Sequence, residues 1–315
     1  MVNKNYKKLS LFQNPVGFLC GTMLFLLFSC ASVPKPENFY AGRNSFGLMA
    51  EGADLYLTAE VQSVRPILDS LKLGGMSGTE LKQFLDMSDI LTLAVFQVPG
   101  KRHFYGAASG KFPSTSGGLF FSASKDWEKM VSGSGMPYWY SERSKLAVSI
   151  GAKAAYFSDG DPFVASPGAL VPDALPALQK NSLLSGWMNN PSPAINKLIA
   201  SFEIPIEIPA ERLLFAVFGA EQEPAKSKKD EDREYYAILR FETPTTTQAS
   251  ALVRIFTMAR LGLALSDFGE HKEMEALAKA FFSQNPRQDG SSLILETGKM
   301  NGNDLALLFN SISVY

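Results

Sequence analysis

Residues 91–96, LTLAVF, decide the fold, because a near copy, LLFAVF, stands at residues 213–218. Each copy is a short apolar run without charge, typical of a strand buried in a sheet. Each is followed by a second strand pattern that closes on proline, at 104–113 and at 235–244. The order helix, strand, long hairpin strand, helix and hairpin therefore occurs twice, and we predict an internal duplication. The alternative is that antiparallel strands with proline-ended edges resemble one another without duplication.

Hairpins interrupted by helices predict an α+β fold of two similar halves, each an antiparallel sheet with helices packed on one face. The pattern leaves open whether the halves form one sheet or two. We expect the first half over 47–161, a proline-rich connection over 162–181 and the second half over 182–315. The predicted strands are 54–61, 90–98, 103–112, 144–150, 154–158, 212–220, 235–244, 292–297 and 305–309. The predicted helices are 65–71, 79–87, 119–131, 192–201, 246–263 and 270–283.

The N-terminus has the pattern of an export signal. Lys4, Lys7 and Lys8 precede a charge-free apolar run over 16–27, and Leu27-Phe28-Ser29-Cys30 closes that run. A basic flank, an apolar core and small residues near a cleavage site are typical of secretory signals. The run is shorter than the roughly 20 residues that span a bilayer. An uncleaved membrane anchor and ordinary secretion are the alternatives.

Leu27-Phe28-Ser29-Cys30 resembles the lipobox of bacterial lipoproteins, in which a diacylglyceryl group is attached to the cysteine and cleavage falls just before it. The resemblance implies a lipoprotein signal peptide over 1–29, a lipid on Cys30 and a tether over 30–46. Ala31 and Ser32 replace the aspartate that retains many lipoproteins at an inner membrane, which favours the outer membrane. The body is similar in kind to the envelope lipoproteins of spirochaetes and other diderm bacteria.

Charge and cysteine content narrow the possible functions. The chain has 30 basic and 31 acidic residues; removal of 1–29 takes away three lysines and no acid, which leaves a formal charge of −4. Such a balance offers no strong field for nucleic acid. Cys20 leaves with the signal and Cys30 carries the lipid, so we expect a folded part without disulfide, thiol nucleophile or cysteine metal site.

Catalytic motifs are scarce. Ser122 and Lys125 match the S-x-x-K spacing of some hydrolases, but no S-D-N or K-T-G partner motif follows. His103 and His271 stand in charged surroundings and favour surface positions, because neither has the spacing of a zinc site. Asp159-Gly160-Asp161 offers two carboxylates but lacks the further ligands of a calcium loop. We predict no catalytic residue, no cofactor and no metal.

Three stretches are candidates for binding. Residues 221–234 mix both signs of charge and predict a solvated hairpin loop that could contact a partner. Residues 247–265 carry a broad apolar stripe, typical of a core helix and alternatively of one wall of a groove for an acyl chain. An aromatic set could form a sugar-stacking patch: Trp127, Trp139, Trp187, Tyr138 and Tyr140.

The sequence therefore predicts a membrane-anchored envelope lipoprotein that binds or scaffolds without catalysis, through sheet edges or a groove between the halves. Its expected partners are the membrane, through Cys30, and another envelope protein or a hydrophobic ligand. A carrier of lipid or another hydrophobic ligand is the alternative, and a Ser122/Lys125 hydrolase is a weaker one.

Overall fold

The computed structural model describes residues 45–70, 78–98, 101–112, 121–163, 168–193, 196, 208–220, 233–263 and 278–313. Several predictions lie outside these residues: the signal peptide, Cys30, nearly all of the tether, His271, most of the 192–201 helix and nearly all of the charged loop at 221–234.

The described strands form one antiparallel sheet of thirteen strands. Their order across the sheet is β11-β12-β10-β9-β8-β1-β2-β3-β7-β6-β5-β4, and β13 also pairs with β10. The bounds are β1 Leu55–Glu60, β2 Ser88–Val98, β3 Lys101–Gly110, β4 Glu128–Val131, β5 Pro137–Ser141, β6 Leu146–Ile150, β7 Ala154–Ser158, β8 Leu184–Asn189, β9 Arg212–Gly219, β10 Glu234–Glu242, β11 Arg287–Asp289, β12 Ser292–Glu296 and β13 Met300–Asn301.

The labelled helices are α1 Arg65–Ser70, α2 Gly78–Met87, α3 Leu175–Gln179, α4 Thr246–Leu263 and α5 Gly302–Ser313. A single 3-10 turn, Phe46–Leu48, precedes β1. The structure is thus mostly antiparallel sheet with some helices, as the predicted α+β class requires.

The two predicted halves share this sheet. β1 pairs with β8 from Leu55 opposite Met188 to Ala59 opposite Leu184. Outward from this pair, β1, β2 and β3 follow in chain order on one side, and β8, β9 and β10 follow on the other. One long sheet, of the two arrangements that the pattern left open, is the one observed.

Most of the helices cover one face of the sheet. Leu68 of α1, Leu85 of α2, Phe256 of α4 and Leu305 of α5 lie in one apolar cluster with the sheet residues on that face. We call it the helical face.

The opposite face has a different cover. There Phe46, Phe163 and Leu175 pack with Trp187 in a second cluster. Because Leu175 belongs to α3, one helix lies on this face, and the prediction of helices on one face alone is wrong for α3.

Two predicted elements have the wrong type. Only 121–123 of the predicted 119–131 helix is helical among its described residues, and Glu128–Val131 is a strand. The reason is the hairpin turn that follows, in which Gly135 adopts a φ of 79° suited to glycine.

The predicted strand at 305–309 lies in helix α5. The side chain of Asn301 accepts the Asp304 N–H at 2.9 Å, and the Asp304 carboxylate accepts the Asn301 N–H at 3.3 Å. This reciprocal cap begins a helix where the apolar run alone suggested a strand.

Candidate functional site

The sheet ends at β4, which pairs with β5 alone among the described strands. All four of its residues, Glu128, Lys129, Met130 and Val131, are exposed. An end strand with exposed side chains on both faces presents main-chain hydrogen-bonding groups to an added strand. This edge, which we call the β4 edge, is the candidate site.

The register shows which groups of the β4 edge point outward. The Ser132 N–H donates to the Met136 carbonyl at 2.8 Å, so these residues form a hydrogen-bonded pair. Hydrogen-bonded and non-hydrogen-bonded pairs alternate along antiparallel strands. Met130, opposite Tyr138, is therefore hydrogen-bonded to β5, and the N–H and C=O groups of Lys129 and Val131 point away from the sheet.

An aromatic cluster adjoins this edge on the helical face. Phe121 lies between two half-buried indoles, with ring centroids 4.7 Å from Trp127 and 6.0 Å from Trp139. Trp139 lies directly opposite Lys129. Their side chains share the helical face, so an added strand beside Lys129 would lie close to apolar aromatic surface.

This arrangement divides the aromatic set that the sequence grouped together. Trp127 and Trp139 are neighbours, whereas Trp187 is buried at the centre of the opposite face. Tyr138 and Tyr140 alternate with Trp139 along β5 and lie on the face opposite to it. The five residues therefore do not form one sugar-stacking patch.

Asp161 holds the hairpin that carries β4, and Asp159 holds the neighbouring strand β3. The Asp161 carboxylate accepts the Phe163 N–H at 2.9 Å and the Gly133 N–H, in the β4–β5 turn, at 3.3 Å. The Asp159 carboxylate accepts the Phe104 N–H at 3.3 Å and bonds to His103 Nδ1 at 2.7 Å. All four carboxylate oxygens thus have internal partners, which favours a structural turn over a calcium loop.

The negative charges of these carboxylates also contribute to raised pKa values of two nearby tyrosines. Burial, reinforced by the negative charge of Asp161, raises the pKa of the Tyr138 phenol. Burial, with the charges of Asp159 and Asp161, raises the pKa of Tyr105. The surroundings of the hairpin therefore favour neutral phenols.

Ser122 and Lys125 are both exposed. The described helical residues end at Ala123, so Lys125 does not follow Ser122 on the same helical turn. Within the described part of the chain, no three side chains from His, Cys, Asp and Glu are grouped to hold a metal ion.

Helix α4 confirms the predicted 246–263 helix and buries Leu252 and Phe256 in the core. Met258 and Leu261 stay exposed, at 71% and 63%. No helix in the described ranges is long and apolar enough to cross a membrane.

Searches for related proteins give a structural likeness. No family model and no curated protein matches the chain. Crystal form I of TP0453, an envelope protein of the spirochaete Treponema, superposes with a TM-score of 0.58 and 17% identity, over 87% of this chain and 99% of TP0453. Crystal forms III and IV give TM-scores of 0.55 and 0.54 at 17% identity, over 86% of this chain and 99% and 98% of TP0453.

The likeness to TP0453 shows a shared fold. At 17% identity, it is a likeness of fold alone.

The sequence does not indicate the β4 edge, because the pattern over 119–131 predicts a helix. The Ser132-Gly133-Ser134-Gly135 run is the signal that could have indicated a hairpin. The aromatic neighbours Trp127 and Trp139 were singled out, but their separation from Trp187 depends on the strand register.

Proposed function

We propose that this protein is an envelope lipoprotein, anchored through Cys30, that binds an extended segment of another envelope protein along the β4 edge. The observation that carries the proposal is the outward direction of the Lys129 and Val131 main-chain groups at the end of the sheet. An extended peptide that pairs there would continue the sheet, in the manner of β-strand addition.

Charge gives the partner strand a preferred chemistry. Two copies of β4 paired about Lys129 would place Lys129 directly opposite Lys129 of the second copy. Like charges directly opposite each other destabilise an antiparallel pair. A different segment with an acidic residue opposite Lys129 would replace this repulsion by attraction, and its apolar neighbours would lie toward Trp127.

The opposite end of the sheet is a weaker candidate. The exposed strand β11 is tied to α4 through Gln288, whose side chain accepts the Ser250 hydroxyl at 2.7 Å and donates to the Thr246 carbonyl at 3.1 Å. Arg240 also pairs with Asp289 there at 2.6 Å. Internal contacts thus occupy the side chains of Gln288 and Asp289, two of the three residues of β11.

The described junction between the halves is closed. Leu57, Ala59 and Leu184 are buried on one face of it, and Tyr56 and Trp187 on the other. A hydrophobic-ligand carrier with a groove at this junction therefore has less support than strand binding at the β4 edge.

The duplication is part of the proposal. The mirrored order β1, β2, β3 and β8, β9, β10 supports it, because the 91–96 run lies in β2 and its echo at 213–218 lies in β9. β4, β5 and β6 lie beyond β7 on the first side, so the β4 edge lies in the part where the two sides differ.

Photo-crosslinking in living cells tests the binding proposal. A photo-reactive phenylalanine analogue replaces Lys129 in one variant and Glu128 in another, which samples both faces of β4. A matched control carries it at the exposed Arg287 in β11. We expect a discrete adduct with one partner from both β4 positions and none from Arg287.

Adducts with a second copy of this chain would replace the proposed partner by self-association. Adducts from Arg287 alone would contradict a site at β4. Equal, diffuse labelling from all three positions would contradict a specific site at either edge.

A further inference from the structure

Three hydroxyl side chains form a row across the centre of the sheet, on the face that carries α3. Thr92, Thr58 and Ser185 lie in the neighbouring strands β2, β1 and β8. All three are buried, and Ser185 has a relative exposure of 1%. Ala107 and Ala216 flank the row in β3 and β9 and are also buried.

The Thr58–Thr92 and Thr58–Ser185 pairs differ in the spacing of their strands. The Thr58–Thr92 pair brings its hydroxyl oxygens to 3.2 Å, a hydrogen-bond distance. The Glu60 N–H donates to the Leu183 carbonyl at 2.8 Å, so Glu60 and Leu183 form a hydrogen-bonded pair. Two residues further along, Thr58 and Ser185 form the next such pair, whose Cα atoms are about 5.5 Å apart rather than about 4.5 Å.

The wide pair leaves Ser185 without a direct partner. Its Oγ is buried and has no hydrogen-bond partner in the described structure. Thr58 and Thr92 have one hydroxyl proton each. Their hydrogen bond uses one of these two protons, since one oxygen donates and the other accepts. The row therefore holds two hydroxyl donors beyond its single hydrogen bond, and a buried hydroxyl without a partner is costly.

We infer that an ordered water molecule bridges Ser185 Oγ and Thr58 Oγ1. A water oxygen can accept a hydrogen bond from each of the two donors, and the wide pair holds Ser185 and Thr58 too far apart for a direct bond. The row contains no ionisable side chain, so the bound group is uncharged. Helix α3 packs against β8 and β9, which places the water between the sheet and this helix.

A double-mutant cycle tests the bridge in the full chain carrying Cys30→Ser. We expect Ser185→Ala to lower Tm by about 2 °C, because the water is no longer held and the Thr58 donor loses its acceptor. Thr58→Val lowers Tm further, since it also breaks the bond to Thr92. The double variant is expected to be no less stable than Thr58→Val alone, because both substitutions remove the same water.

Ser149→Ala is the matched control, because Ser149 is also buried but its Oγ donates directly to the Pro137 carbonyl at 2.8 Å. Its effect should add to that of Thr58→Val. A rise in Tm for Ser185→Ala, or an additive cycle between Ser185 and Thr58, would overturn the inference.

A high-resolution crystal structure identifies the bound group. An isolated density peak within hydrogen-bond distance of both oxygens supports the water. A carbonyl oxygen of a bound organic molecule at this position, matched by a stoichiometric extra mass in native mass spectrometry, would overturn it.

Discussion

Trp187 stacks on Tyr56 with ring centroids 4.4 Å apart, directly across the strand pair that joins the two sides of the sheet. The Phe46 ring meets the same indole edge-on at 4.8 Å. The Tyr56 hydroxyl donates to the Ala50 carbonyl at 2.7 Å and accepts the Ala53 N–H at 2.9 Å. The contact between Trp187 and Tyr56 thus links the two strands at the centre of the sheet, and both residues also contact the segment that precedes β1.

Trp187→Ala should therefore destabilise the whole fold. Removal of a fully buried indole costs about 3–5 kcal/mol of unfolding free energy. Urea unfolding followed by far-UV circular dichroism measures the change. Trp139→Ala is the control and should cost clearly less, because its indole is only half-buried. Equal losses for the two variants would contradict the central role of Trp187.

Asp161→Ala should loosen the hairpin that presents β4. The variant loses the carboxylate that accepts the Gly133 and Phe163 N–H groups, at a cost of about 1 kcal/mol. Hydrogen exchange should become faster over 128–136. Asp126→Ala, which removes an exposed pair with Arg143, is the control and should leave that exchange unchanged. Unchanged exchange in Asp161→Ala would mean that the turn does not depend on this carboxylate.

Stability should fall at alkaline pH. Burial raises the pKa of Tyr56 in the folded state above that of an unfolded chain, which is about 10. The stabilisation that the neutral Tyr56 phenol gives to the folded state is fully present below pH 10. It is lost as the pH rises from there through the folded pKa, because the unfolded state releases the proton first. Tyr56→Phe should reduce the slope of unfolding free energy against pH above pH 10. An unchanged slope would show that Tyr56 does not contribute.

Cys30 should carry the lipid. We expect metabolic labelling with an alkyne fatty acid to mark the wild-type protein, and Cys30→Ala to abolish the label and release the protein from membranes. Cys20→Ala is the matched control and should retain the label. Persistent labelling of Cys30→Ala would contradict the lipobox interpretation.

Local and long-range interactions determine different elements of this fold. The 246–263 helix follows from its own apolar spacing and was predicted with its observed ends. β8 was missed because Gly186 interrupts its apolar pattern. Strand β1 lies so close to β8 that this position needs glycine, since a Cβ on Gly186 would lie 2.0 Å from the Tyr56 carbonyl oxygen. Local pattern cannot show such a close approach between strands.

The candidate site could not be predicted from the sequence for a similar reason. Glu128, Lys129 and Met130 are good helix formers, so their local preference points away from a strand. Pairing with β5 overrides that preference and places them at the end of the sheet. Which main-chain groups face outward depends on the register, and the sequence contains no local signal for it.

The most direct test of strand binding at β4 is Val131→Pro, compared with Val131→Thr. The Val131 N–H points out of the sheet, so proline there removes an outward donor and spares the hydrogen bonds to β5. We predict that the adduct from the photo-reactive residue at 129 disappears in Val131→Pro and persists in Val131→Thr, with equal Tm for the two variants. An undiminished adduct in a folded Val131→Pro protein would contradict strand binding at the β4 edge.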